Sequence, residues 1–279
     1  MIFDDLKKIV RANAGLSGNA YLLNLLKEKL QDYILYFIGA HKEFNGLIFT
    51  GGTCLRKIYG LNRLSVDLDL DYADENFSHD AFAEKLTRWF AQTYQVKNIS
   101  ADRRKETVKV KIRGGLEEFP GIGKQVLFVS VDLSRIKFKK YDTEKNLIST
   151  PEFSFFITSF DLPTMFANKI CAFLGRQFFF GKGQEVSFKA RDVYDLFWLC
   201  QRSRQNGYRL RPNFERIFEE LNTSRKDEVL KRVIDKVGRL DDRQLLTQLL
   251  PFFPDQQFVK EFVKNYRSAL TEECRCIFL

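Results

Sequence analysis

Residues 49–72 read FTGGTCLRKIYGLNRLSVDLDLDY, and the fold turns on them. The stretch leaves a short apolar run, Leu47 to Phe49, that follows Gly46 and reads as a buried strand. Gly51 and Gly52 come next; Thr53 to Tyr59 resumes a helical pattern, which Gly60 and Asn62 stop. Residues 66–72 then alternate, Val-Asp-Leu-Asp-Leu-Asp-Tyr, as a strand with one apolar side does. Strand side chains alternate faces, so Asp67 and Asp69 project from one side while Leu68 and Leu70 enter the other. Two adjacent carboxylates repel unless a cation lies between them. Mg²⁺ suits such a pair, because it takes one or two carboxylates and completes its octahedron with water and phosphate oxygens. Glycines between a strand and a helix expose backbone N–H groups at the helix start, a cradle for an anion. Thr53 can add a hydroxyl donor.

Each feature alone is common. An Asp-x-Asp on a strand is usually a solvated face, and Gly-Gly before a helix is usually a turn. Together, in this order, they set a phosphate cradle and a divalent-metal site on adjacent elements, which is the physical requirement for nucleotidyl transfer. Asp132 is the candidate third carboxylate. In a strand expected over 125–133, Leu127, Val129, Val131 and Leu133 share one face, and Phe128, Ser130 and Asp132 share the other. Asp132 reads equally well as a turn-initiating residue at the strand terminus. Asp71 is in phase with the pair but one step further along.

Outward from this stretch, helices are expected over 2–13 and 19–40 and from Ser78, a capping residue, to about 92, with strands near 94–99, 107–113 and 125–133. From Asp161 the chain reads as helical: 161–176, a loop with Phe178, Phe179, Phe180, Gly181 and Gly183, a helix over 188–202, then four amphipathic helices near 212–222, 225–238, 241–250 and 255–270. The order of elements fits an α+β fold followed by a C-terminal helical bundle. The shift in composition near residue 205 divides the chain into domains 1–204 and 205–279. The Phe178–Phe180 run is either core or an exposed partner patch.

The 279 residues are 44% hydrophobic with 28 Phe, enough to bury a sizeable core and to exclude disorder over most of the chain. No apolar run approaches the roughly 20 residues that span a bilayer. The first residues, MIFDDLKKIV, lack the apolar segment of a signal peptide, so a cytoplasmic protein with no membrane partner is expected. Lys and Arg number 45 against 36 Asp and Glu, a net charge of +9 that favours a polyanionic partner. The excess gathers at Arg103 to Arg113, at Arg135 to Lys140 and at Arg202 to Arg211; the plainer reading is solvated strand edges. Five scattered cysteines argue against a disulfide framework, and Cys54, Cys171 and Cys200 sit in apolar helical patterns. With His41 and His79 the only histidines, a bound metal needs oxygen ligands.

The stretch GGTCLRKIYGLNRLSVDLDL resembles the signature of the AbiEii/AbiGii-type nucleotidyltransferase toxins, within the DNA polymerase β-like nucleotidyltransferase superfamily. A second element is similar to the family's helical lysine and later Arg-Asp-x-x-Asp helix: Lys169 in DLPTMFANKICAFLGR, then Arg191, Asp192 and Asp195 in KARDVYDLFWL. The resemblance covers about residues 45–200, and 205–279 carries no motif. It implies a nucleotidyltransferase fold, a mixed sheet flanked by helices, with Mg²⁺ dependence and transfer of a nucleotide from an NTP. It implies a toxin of a toxin–antitoxin system, with an RNA or tRNA 3′ end as acceptor and a cognate antitoxin as second partner. Carried over by position, it makes Asp67 and Asp69 metal ligands, Lys169 a triphosphate contact and Asp192 or Asp195 a further catalytic-site residue. Gly51, Gly52, Thr53 and Ser65 fall on the nucleotide side. Without the resemblance, Lys169 is a border lysine reaching to water, and Arg191 and Asp195, four apart, are a surface ion pair. Two other functions stay open: a nucleotidyltransferase modifying a protein or small molecule, and a non-catalytic nucleic-acid-binding module on the same fold.

Overall fold

The computed structural model describes residues 2–13, 18–96, 98–123, 125–175, 178–180, 184–186, 188–203 and 210–278, with the backbone alone at 178–180 and 184–186. Among them the chain divides into two compact units, Met1–Ile136 with Thr143–Ser159, and Lys137–Asp142 with Phe160–Leu279. The compositional shift near residue 205 falls inside the second unit. The reason is packing: helices on both sides of that position, Leu162–Gly175 (α5) and Ala190–Arg202 (α6) before it and Gln256–Phe278 (α10) after it, belong to one cluster, with α6 against both α5 and α10.

The first unit begins with two helices, Ile2–Ala12 (α1) and Asn19–Ala40 (α2). The apolar run after Gly46 becomes a short strand, Ile48–Thr50 (β1), and passes directly into the helix Gly51–Lys57 (α3). The alternating segment is the strand Asp67–Tyr72 (β2), and Ser78 caps the helix His79–Tyr94 (α4) by accepting from the Ala81 N–H at 3.2 Å. Ile99–Arg104 (β3), Thr107–Ile112 (β4) and Leu127–Arg135 (β5) follow. The strand expected near 94–99 therefore starts at its far end, because α4 runs on to Tyr94 and Gln95 closes it in the left-handed conformation. Two strands that the sequence reading lacked, Thr143–Ser149 (β6) and Ser154–Phe160 (β7), complete a mixed seven-stranded sheet in the order β3-β4-β5-β2-β1-β7-β6.

Register gives this sheet two unlike faces. β2 pairs parallel with β5 (Asp67 with Ser130, Asp69 with Asp132), and β5 pairs antiparallel with β4 (Ser130 with Lys109, Asp132 with Thr107). Partnered residues point to the same side, so Leu68, Leu70, Val129, Val131, Leu133, Val108 and Val110 share one face, and all are buried. Against strands β3 and β4 packs α4, and the rings of Phe37 of α2, Phe44 and Phe82 of α4 pack together at 5.1–5.9 Å. The opposite face carries Asp67, Asp69, Ser130, Asp132, Thr107, Lys109 and Lys111, all half-buried.

The second unit is helical: α5, α6, Phe214–Leu221 (α7), Lys226–Gly238 (α8), Asp242–Leu249 (α9) and α10. Residues 178–180, expected in a loop, form a strand (β8) paired antiparallel with Gln184–Val186 (β9). Gly181 and Gly183, and the direction in which the Phe178–Phe180 rings face, lie outside the described residues. Tyr194 of α6 meets Phe253 and Phe262 edge-on at 4.7 and 5.1 Å, so these two Phe are core, whereas Phe258 is exposed. Among the described residues no helix is long and apolar enough to cross a membrane.

Candidate active site

The predicted site residues fall into two groups, one in each unit. The first is built on the β1–α3 turn and on β2. Gly51 has φ +76°, a conformation that costs any L side chain, and the space is already taken: a Cβ there would come 1.8 Å from the Asp69 Oδ2. The Asp69 carboxylate thus lies directly over the backbone of the turn. A Cβ on Gly52 would come 2.7 Å from the Arg63 Nη2 and 3.0 Å from the Ser65 Oγ. Both glycines are needed for close approach, one by a carboxylate and one by a guanidinium.

Thr53 differs from its expected use. It is fully buried, and its hydroxyl donates to the Asp67 carbonyl oxygen at 2.5 Å. It ties the turn to β2 and is not turned toward an incoming phosphate. Ser65 is likewise buried, and its carbonyl accepts from the Gln31 Nε2 at 3.0 Å. Arg63 is a residue the sequence reading missed. It is only 2% exposed, donates from Nη1 to the Leu64 carbonyl at 2.8 Å and lies against Gly52. Its signal was a charged residue between Leu61 and Leu64, both buried, in a loop that should have been wholly polar.

Asp67 and Asp69 occupy one face, both half-buried, as the alternation predicts. Asp132 is beside Asp69 in register, but its Oδ1 accepts from the Thr107 hydroxyl at 2.6 Å. Among the described residues no three or more His, Cys, Asp or Glu side chains are arranged to hold a metal ion. Asp132, which the sequence leaves open between a third ligand and a turn residue, is held at one oxygen by the Thr107 hydroxyl of β4. The donor set that remains, two carboxylates over a backbone cradle that a Cβ would fill, fits Mg²⁺, which takes one or two carboxylates and leaves its other positions to water and phosphate.

The second group is centred on Lys169 of α5. Its Nζ lies 2.7 Å from the Asp195 Oδ2 and 3.3 Å from the Asp192 Oδ1, both on α6. The lysine is 9% exposed and Asp195 is 0% exposed, so this is a buried ion cluster. Lys169 is therefore buried among carboxylates and does not reach to water, and Asp195 is an interior residue and not a surface one. The reason is that α5, α9 and α10 all pack on α6, which buries its polar side with its apolar one. A second lysine, Lys236 of α8, was also missed. Burial pushes its pKa below the ordinary lysine value, and the charge of Asp192 works the other way. Its Nζ donates to the Leu174 carbonyl at 3.3 Å. Nothing in the local sequence of α8 marks it.

The profile of one family, described as Nucleotidyl transferase AbiEii toxin, Type IV TA system, matches residues 33–271. The chain belongs to this AbiEii family and is a nucleotidyltransferase of the toxin type. No curated protein sequence matches it. Among solved structures, it is similar to JHP933 from Helicobacter pylori, with 19% identity, 91% of each chain covered and a TM-score of 0.49. A candidate nucleotidyltransferase from H. pylori is 17% identical, with 91% of this chain and 94% of that one covered and a TM-score of 0.47. The Bradyrhizobium diazoefficiens CD-NTase CdnG, solved with GTP, is 12% identical over 91% of this chain and 87% of its own, with a TM-score of 0.26. At these scores the assignment rests on the family profile.

Proposed function

We propose that the protein is a Mg²⁺-dependent nucleotidyltransferase that moves a nucleotide from an NTP to the hydroxyl of an RNA acceptor, a tRNA 3′ end in the first place. The observation that carries this is the pairing of Asp67 and Asp69 on one half-buried polar face, with Asp69 seated on a glycine turn that admits no Cβ. In the transfer, a bond forms between the acceptor oxygen and the α-phosphorus, the bond from that phosphorus to the pyrophosphate oxygen breaks, and the hydroxyl proton passes to solvent. Such chemistry asks the protein for positioning and charge neutralisation more than for covalent help. Asp67 and Asp69 would hold Mg²⁺, which when bound supplies positive charge against the triphosphate. Thr53 and Arg63 keep the turn in place, and Gly51 and Gly52 present its backbone. In the second unit, the sequence resemblance would make Lys169 a phosphate contact and Asp192 or Asp195 a catalytic-site residue, and the buried cluster would have to release the lysine for that role.

The net charge of +9 favours RNA over a cationic small molecule as acceptor. Membership of a toxin–antitoxin family supports a cognate antitoxin as second partner, and the reading sets both in the cytoplasm. The test is incubation with labelled NTPs, Mg²⁺ and total tRNA, beside Asp67→Asn protein. Label in the RNA band with wild type and none with the variant is expected. Label that instead migrates with protein or with a small metabolite would replace the acceptor. Equal blanks from both proteins with every NTP and acceptor would remove the enzyme reading.

A further inference from the structure

We propose that the polar face of the sheet is a track for a single-stranded nucleic acid, with Phe128 as the platform on which a base stacks and Lys27, Lys109 and Lys111 as its phosphate contacts. The inference rests on the reading of the acceptor as RNA and assigns the surface that would hold it.

The argument starts from register. On this face the row Asp69, Asp132 and Thr107 is followed by the row Asp67, Ser130 and Lys109, and then by Phe128 paired with Lys111. The face therefore runs from carboxylates to cations. Phe128 and Asp132 are four residues apart on β5, about 13 Å at the rise of a strand. Lys109 shares its row with Asp67, and Phe128 lies one row beyond, so the cationic end adjoins the carboxylate pair.

Phe128 breaks the polar pattern. The odd-numbered residues of β5 from Leu127 to Leu133 are buried in the apolar face, whereas Phe128 is 38% exposed among charged and hydroxyl neighbours. An isolated phenyl group there adds nothing to the core. Two ammonium groups approach its ring, Lys109 at 5.2 Å and Lys27 of α2 at 4.8 Å from the centroid. An exposed ring between two cations is the combination that single-strand binders use: the π-face takes any base and the cations take the flanking phosphates. Lys111 pairs with Asp102 at 2.7 Å, but Asp102 is exposed, and such pairs are weak enough for a phosphate to displace. The simpler alternative is that the two lysines only shield a surface phenyl from water. Under that alternative the ring is expendable for binding.

Binding of a fluorescein-labelled single-stranded oligoribonucleotide, followed by anisotropy over a range of salt, separates these cases. Phe128→Ala is expected to weaken binding about tenfold and Phe128→Tyr to restore it. The Lys27→Gln, Lys109→Gln double variant is expected to lower the slope of log K against log salt by about 1.4, two single-strand phosphates' worth. Wild-type affinity in Phe128→Ala, with a wild-type slope in the lysine variant, overturns the track while leaving the RNA acceptor in place. A raised KM for NTP in Phe128→Ala with unchanged RNA binding also overturns it, by assigning the ring to the nucleotide. Failure of the wild-type protein to bind the oligonucleotide at all removes the RNA acceptor, and the track with it.

Discussion

Asp67 and Asp69 stand half-buried on the open face of a sheet, whereas Asp192 and Asp195 are sealed within a helical unit around Lys169. The difference lies in what stabilises each charge. On β2 the main-chain ladder and the Thr53 hydroxyl fix the strand, and the carboxylates stand half-buried on its polar face. On α6 the carboxylates are stabilised by an internal ammonium, and removal of one partner strands the other in a medium that solvates ions poorly. One group lies half-buried on a strand face and the other is sealed among helices. The two should answer mutation differently even where both serve the same reaction.

The largest contrast is expected at Asp67. Asp67→Asn should lower incorporation about a thousandfold, the several kcal/mol that a bound cation's charge supplies to the transition state. Its thermal midpoint should stay close to wild type, because a half-buried strand residue is replaced by a near-isostere. A large fall in midpoint would place Asp67 among structural groups and dissolve the comparison. Next comes Asp195→Ala, expected to cost about 3–5 kcal/mol in denaturant unfolding, because the buried Lys169 loses its closest carboxylate. A double variant that also carries Lys169→Met should recover part of that loss, which a role in binding alone would not give. Gly51→Ala lies between the two classes. Its positive φ costs about 1–2 kcal/mol for a residue with a Cβ, and the methyl must displace the Asp69 carboxylate. Activity should therefore fall by more than the loss of stability explains, read as kcat at saturating NTP on folded protein.

How far the sequence foretold this depends on how local each signal is. The faces of β2 and β5 were legible because period-2 alternation with one buried side writes itself into consecutive residues, Leu68 and Leu70 against Asp67 and Asp69. The strands β6 and β7 were not. In Thr143–Ser149 only Ile148 is buried, because β6 is the edge of the sheet, so no apolar alternation marks it. The buried state of Lys169 and Asp195 was invisible for a different reason: single charges on helices read as surface until a partner on another helix meets them. The same holds for Arg63, whose place beside Gly52 depends on a loop folding back under the turn. Motif spacing named the residues, but only packing distinguishes a half-buried charge from one sealed inside.

The smallest expected effect gives the finest probe of that distinction, because it perturbs nothing. Cys54 lies on α3 beside the glycine turn, Cys171 on α5 with Lys169, and Cys200 on α6 with Asp195; all are buried, whereas Cys276 is exposed. Burial pushes the Cys171 thiol up to about 12, so at neutral pH almost none of it is the reactive thiolate. With iodoacetamide at pH 7.5, the wild-type protein should lose Cys276 first, while the buried thiols react only when their helices open. In Asp195→Ala the protection of Cys171 and Cys200 should fall while that of Cys54 holds; in Gly51→Ala the order should reverse. Equal loss of protection at all three cysteines in either variant would mean that the two groups share one cooperative fate, and that the charged clusters differ in exposure but not in the structure that supports them.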